Sequence, residues 1–168
     1  MNEWKRAAVK IVLLGLITVL TFSFWSVWAE KLRLFSLRAD VLPFLAAYIA
    51  IFFGKEWGAG FGCFIGVLAD TAAEGTMGFY TVFVMIGAIL VGLISEKYYR
   101  THLLAGFLSG YALYVLLNLL RLLFFFVIPG KASFLVFFTY FLPAGLYSLL
   151  WSVPIYLILR RIWRRVEE

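Results

Sequence analysis

The sequence LLRLLFFFVI, residues 119–128, is apolar at every position except Arg121. A membrane-spanning β-strand alternates apolar and polar side chains, and this stretch does not alternate. Because lipid offers no partner to unpaired backbone groups, the α-helix is the other structure that can cross a bilayer. Over the whole chain, 64% of the 168 residues are hydrophobic and 14% are charged, against about 25% charged in a typical soluble domain. The sequence therefore predicts an all-α polytopic membrane protein.

Charged or turn-forming residues divide the apolar sequence into six segments, and we expect one transmembrane helix in each. The expected helices are residues 7–29, 41–53, 57–73, 77–95, 103–128 and 134–159. Six helices fill the chain, so residues 1–168 are expected to form a single integral membrane domain. Segment 41–53 is short, since it extends only about 20 Å against a hydrocarbon core of about 30 Å. We expect it to cross the membrane, with a re-entrant hairpin as the alternative.

The Lys and Arg residues predict the orientation of the helices. If both chain ends are cytoplasmic, the cytoplasmic loops and ends hold most of the 15 basic residues. Basic residues accumulate on the cytoplasmic side of membrane proteins, so this arrangement follows the positive-inside rule. The basic C-terminal segment 160–165 is expected to anchor the chain to anionic lipid rather than to bind nucleic acid.

Small residues recur at every fourth position where the third segment begins. This glycine seam consists of Gly54, Gly58, Gly62 and Gly66. Such spacing lets a second helix backbone approach closely, either from the same chain or from a partner protein. The same step of four leads to two carboxylates, Asp70 and Glu74.

An ionised Asp70 at the edge of the hydrocarbon needs a compensating group. Arg121 is expected to lie at a similar depth, so we predict that the two charges pair. Arg121 also ends a polar stripe on one face of the fifth helix, together with Tyr111, Tyr114 and Asn118. Such a stripe must face the interior of the bundle, a cavity or a partner, and a structural bridge is as consistent with it as a binding site.

The sequence offers little support for catalysis. Its single histidine, His102, falls in a predicted cytoplasmic loop, and no pair of nucleophile and base is apparent. Asp70 and Glu74 lack nearby His or Cys residues, which makes a metal site a weak prediction. We therefore expect no enzymatic activity, no cofactor and no metal.

Two stretches resemble a known family signature: GFGCFIGVLAD at residues 60–70 and GTMGFY at residues 75–80. Together they are similar to the third-helix signature of the MreD family of rod-shape-determining membrane proteins. The triplet RAD at residues 38–40 resembles the arginine-proline-aspartate entry to that family's second helix, with alanine in place of proline. It adds Asp40 to the candidate buried polar or partner-binding residues.

The resemblance implies a non-enzymatic scaffold of the bacterial cell-elongation complex in the cytoplasmic membrane. Its expected partners are the transmembrane helix of MreC, the RodA glycosyltransferase with its penicillin-binding transpeptidase, and MreB indirectly. The glycine seam would then form a lateral groove for MreC.

The family is also similar in fold to the substrate-binding subunits of energy-coupling-factor transporters. The alternative function is therefore a vitamin- or metal-binding subunit of an uptake transporter, with Asp70, Glu74, Asn118 and Arg121 lining an outward-facing pocket.

Overall fold

The computed structural model describes residues 2–28, 30–32, 37, 39–72, 78–98, 102–131 and 133–167. Within these ranges the chain is almost entirely helical and has no β-strand. The helices are α1 (Glu3–Trp28), α2 (Leu42–Phe53), α3 (Lys55–Ala72), α4 (Phe79–Tyr98), α5 (Leu103–Leu122) and α6 (Leu142–Glu167). A π-helical segment, Leu123–Val127, continues α5, and a second one, Phe137–Phe141, precedes α6.

Each predicted apolar segment overlaps one of these helices, and the all-α membrane class is confirmed. Among the described residues, four helical stretches are long and apolar enough to span a bilayer: Glu3–Trp28, Phe79–Lys97, Leu103–Val127 and Phe137–Glu167. The first and last helices extend beyond the predicted boundaries at the chain ends. Their charged ends continue the backbone helix outside the apolar run, where charges are solvated and helix hydrogen bonds still form.

The short helix α2 lies at the centre of the bundle. Every residue from Pro43 to Phe53 is buried, and α2 packs against α3, α4, α5 and α6. A helix that is apolar on all sides is stable where protein surrounds it completely, and the sequence of α2 has this property. Its Tyr48 hydroxyl and the Ser152 hydroxyl of α6 form a buried hydrogen bond of 2.8 Å. The length of α2 is therefore suited to a core helix.

In contrast, α1 lies at the periphery and buries only Leu14, Thr18 and Trp25. The indole N–H of Trp25 donates a hydrogen bond to the Ala39 carbonyl oxygen at 2.7 Å, which attaches the end of α1 to the entry of α2. At the other end of α1, Lys10 forms an ion pair with Glu167 of α6. The start of α1 thus lies beside the end of α6.

Candidate functional site

The carboxylate of Asp70 is at the end of α3 and is 7% exposed. It accepts hydrogen bonds from the backbone N–H groups of Gly78 at 3.0 Å, Tyr80 at 3.1 Å and Thr81 at 3.0 Å. The Thr81 hydroxyl donates a fourth bond at 2.6 Å. Asp70 therefore holds the N-terminus of α4 against the C-terminus of α3.

The start of α4 explains why Asp70 is needed there. The first intrahelical bond runs from the Val82 N–H to the Gly78 carbonyl, so Gly78 occupies the N-cap position. Glycine has no side chain to accept the unpaired N–H groups of the first turn, and its φ of 86° is one that L-residues rarely adopt. Asp70 supplies the missing acceptor from the preceding helix, and the positive end of the helix dipole favours its negative charge.

The predicted ion pair between Asp70 and Arg121 does not form. The Arg121 guanidinium instead donates a hydrogen bond to the Tyr80 hydroxyl at 3.2 Å and lies 5.7 Å from the centre of the Tyr80 ring. Tyr80 in turn donates its backbone N–H to Asp70. Asp70 and Arg121 are thus linked through Tyr80. The Asp70 carboxylate is paired with N–H groups at the start of α4 and not with a cation.

The polar stripe of α5 divides between two environments. The Tyr111 hydroxyl donates a hydrogen bond to the Leu142 carbonyl oxygen of α6 at 3.3 Å. Tyr114, Asn118 and Arg121 instead line a cavity at the end of the bundle where α1 and α3 finish and α2 and α4 begin. The Asn118 amide donates back to the Tyr114 carbonyl oxygen at 2.9 Å, within the same helix. Tyr111 therefore joins α5 to α6, whereas Tyr114, Asn118 and Arg121 border the cavity.

That cavity has a volume of about 240 Å³. Its polar lining comes from five elements of the fold, and its apolar lining is rich in aromatic rings. The lining residues are Phe22, Trp25, Ser26, Ala39, Asp40, Leu42, Ala69, Ala72, Tyr80, Tyr114, Asn118, Arg121, Tyr140 and Phe141. Of the four residues expected in a pocket, Asn118 and Arg121 are among them, Asp70 is not, and Glu74 lies outside the described residues.

Asp40 is positioned at the entry of α2. Its backbone N–H donates to the Ser148 hydroxyl of α6 at 2.8 Å, and its Oδ1 accepts from the Leu42 N–H at 3.2 Å. These bonds fix the direction in which the chain enters α2, and they bring the carboxylate to the cavity wall.

The glycine seam mediates packing between helices of this chain. A Cβ atom at Gly66 would lie 2.4 Å from the Thr81 Cα of α4, and one at Gly58 would lie 2.5 Å from the Ala50 Cβ of α2. At Gly62 the nearest atom would be the Ala88 Cβ at 3.2 Å. These glycines allow close packing of α3 on α4 and α2, so the predicted groove for a separate helix is not at Gly58, Gly62 and Gly66.

A different glycine of α3 faces outward. Nothing lies within 4 Å of a Cβ atom placed on Gly60. Gly60 borders an open groove of about 440 Å³ on the outer face of α3, together with Glu56, Trp57, Phe61 and Phe64. The Trp57 and Phe61 rings stack along it with their centres 6.3 Å apart. This α3 groove is the apolar surface to which a second helix could pack closely.

Within the described residues no three His, Cys, Asp or Glu side chains come together in a way that could hold a metal ion. His102 lies at the N-cap of α5 and is exposed.

Sequence reasoning missed Tyr80 as the residue that connects Asp70 to Arg121. It also missed Trp25 and Tyr140, whose rings close the cavity. The signal in the sequence was Gly78 immediately before the start of α4, because a helix that begins at glycine needs an acceptor from elsewhere. Comparison with protein-family models, curated proteins and solved structures finds no match for the chain.

Proposed function

We propose that this chain is a non-enzymatic scaffold of the bacterial cell-elongation complex that binds the transmembrane helix of an MreC-type protein. The resemblance of residues 38–80 to the MreD family motivates the choice of partner. The observation that carries the proposal is the α3 groove, because its open Gly60 and stacked aromatic rings offer a surface for close packing of an apolar helix.

The proposal places the chain in the cytoplasmic membrane with six crossings and both ends in the cytoplasm. The ion pair between Lys10 and Glu167 supports this topology, since it keeps the start of α1 next to the end of α6. An even number of crossings places both chain ends on the same side of the membrane. Binding of MreC would then couple the chain to RodA, its penicillin-binding transpeptidase and, indirectly, MreB, and so support the regulation of peptidoglycan synthesis and rod shape.

The test is co-purification with the MreC-type protein of the same bacterium from mild detergent. We expect Gly60→Leu to reduce the recovered partner on the order of tenfold, because the added side chain fills the groove where the helices would meet. Gly15→Leu is the matched control: it adds the same side chain to α1 at a glycine that also has nothing within 4 Å.

Both variants should insert and elute from a sizing column like the wild type, since a Cβ atom at either glycine has nothing within 4 Å. Equal recovery of the partner with Gly60→Leu and with wild type would exclude the α3 groove as the binding surface. Equal loss with both variants would show that the effect is not specific to the groove.

A further inference from the structure

The cavity between α1, the entry of α2, α3, α4, α5 and the π-helical segment Phe137–Phe141 contains the Arg121 guanidinium, which forms no ion pair with a carboxylate of the described residues. Arg121 has five N–H donors, and its one hydrogen bond within the described residues goes to the neutral Tyr80 hydroxyl. No carboxylate of the described residues lies within 4.0 Å of it. A guanidinium inside an apolar helix bundle is costly unless an anion or water compensates it.

Two further side chains present unused polar atoms to the same cavity. Asn118 is 4% exposed and Tyr114 is 2% exposed, and both line the cavity wall. The Asn118 amide nitrogen is bonded to a backbone carbonyl, whereas its Oδ1 and the Tyr114 hydroxyl have no hydrogen-bond partner among the described residues. Both atoms are open to the cavity, where water or a polar group of a ligand can pair with them.

We propose that this cavity binds a small, singly charged organic anion. The acid group lies against the Arg121 guanidinium, within reach of the Tyr114 hydroxyl as a donor. The body of the ligand packs against aromatic rings such as Trp25 and Phe141, which line the apolar side of the cavity. The volume of about 240 Å³ is below the range of about 300–1,000 Å³ that is typical of drug-sized ligands, so the bound portion is small.

The charge of the ligand is limited by Asp40. Its carboxylate lines the same cavity, so a dianion would meet repulsion opposite Arg121. A carboxylate and a phosphodiester both carry a single negative charge, and both are recognised by arginine. The first would come from a free organic acid and the second from the headgroup of a phospholipid. This site is independent of MreC binding, since none of its lining residues lies in the α3 groove.

The experiment uses the full chain in an uncharged detergent with two probes. Phosphatidylglycerol binding is followed by native mass spectrometry, and phenylacetate binding by calorimetry and by displacement of the lipid. We expect at least one probe to bind the wild type and Arg121→Gln to weaken it on the order of tenfold or more, as for the loss of charge-assisted hydrogen bonds. Binding of the lipid alone, of phenylacetate alone or of both in competition identifies the source of the anion.

Matched variants separate the site from general charge effects and from misfolding. Arg161→Gln removes the same charge from an exposed position of α6 and should bind like the wild type. Tyr114→Phe removes a hydroxyl that has no partner in the described chain, so it should fold normally and still weaken binding severalfold. Asp40→Asn should bind the anion equally or more tightly.

The proposal is overturned if neither probe binds, or if Arg121→Gln and Tyr114→Phe both bind as the wild type does. It is also overturned if Asp40→Asn abolishes binding, which would indicate a cationic ligand. None of these outcomes affects co-purification of MreC, so failure of this site and failure of the scaffold function are distinguishable.

Discussion

Replacement of Asp70 tests whether one carboxylate joins α3 to α4. In Asp70→Ala the four hydrogen bonds at 2.6–3.1 Å lose their acceptor at once. An ordinary helix cap contributes about 0.5–2 kcal/mol, and hydrogen bonds to charged groups about 1.5–3 kcal/mol each without being additive. We therefore expect Asp70→Ala to lower the free energy of unfolding by about 2–4 kcal/mol.

Two further variants are expected to lower the free energy of unfolding by smaller amounts. Asp70→Asn keeps one acceptor oxygen but turns an NH₂ group toward a backbone N–H, so about 1–2 kcal/mol should be lost. Thr81→Val removes one donor and should cost about 1 kcal/mol. The measurement is unfolding by SDS in mixed micelles, followed by circular dichroism. A free energy of unfolding for Asp70→Ala within about 0.5 kcal/mol of the wild type would refute the capping role.

A charge reversal distinguishes capping from an ion pair. Asp70→Arg should impair accumulation of the protein, because a cation then faces the N–H groups of α4. Adding Arg121→Asp should not restore it, since the two side chains are not paired. Restoration by the double variant would show that their charges meet in the folded protein.

The glycines and tryptophans give two more comparisons by the same unfolding assay. Gly66→Ala should destabilise the protein by about 2 kcal/mol or more because its Cβ would lie 2.4 Å from the backbone of α4, whereas Gly60→Ala, with open space, should be neutral or slightly stabilising. Similar free energies for the two variants would contradict the packing. Trp25→Phe should cost about 1–3 kcal/mol more than Trp151→Phe, because the Trp25 indole N–H is bonded to a carbonyl while the buried Trp151 N–H has no partner in the described chain. The reverse order would count against these assignments.

The positions of the helices could be predicted because apolar run length is a direct requirement of the bilayer. The run at residues 41–53 was correctly identified as a helix, and its shortness was noted. Its central place could not be deduced, since a short helix surrounded by lipid and one surrounded by protein have the same composition. What distinguishes them is the set of neighbours, and that depends on how four other helices pack.

The sequence predicted which residues belong to the candidate site better than it predicted which atoms they contact. The spacing of Tyr114, Asn118 and Arg121 correctly indicated that they share one face of α5, because helical periodicity is local. The predicted partner of Asp70 was wrong for a different reason. Every residue except proline has a backbone N–H group, and these groups are left free to bind a side chain where a helix begins. The glycine pattern likewise indicated close packing but not which helix would approach.

The enclosure of α2 has a consequence for biogenesis. This helix leaves the ribosome before α4, α5 and α6, which later surround it. Until they are made, the nascent chain holds a helix too short to cross the bilayer unaided, with the Tyr48 hydroxyl still without Ser152. The insertion machinery must therefore retain the early helices together, and a chain truncated before α6 would present quality-control proteases with an exposed core.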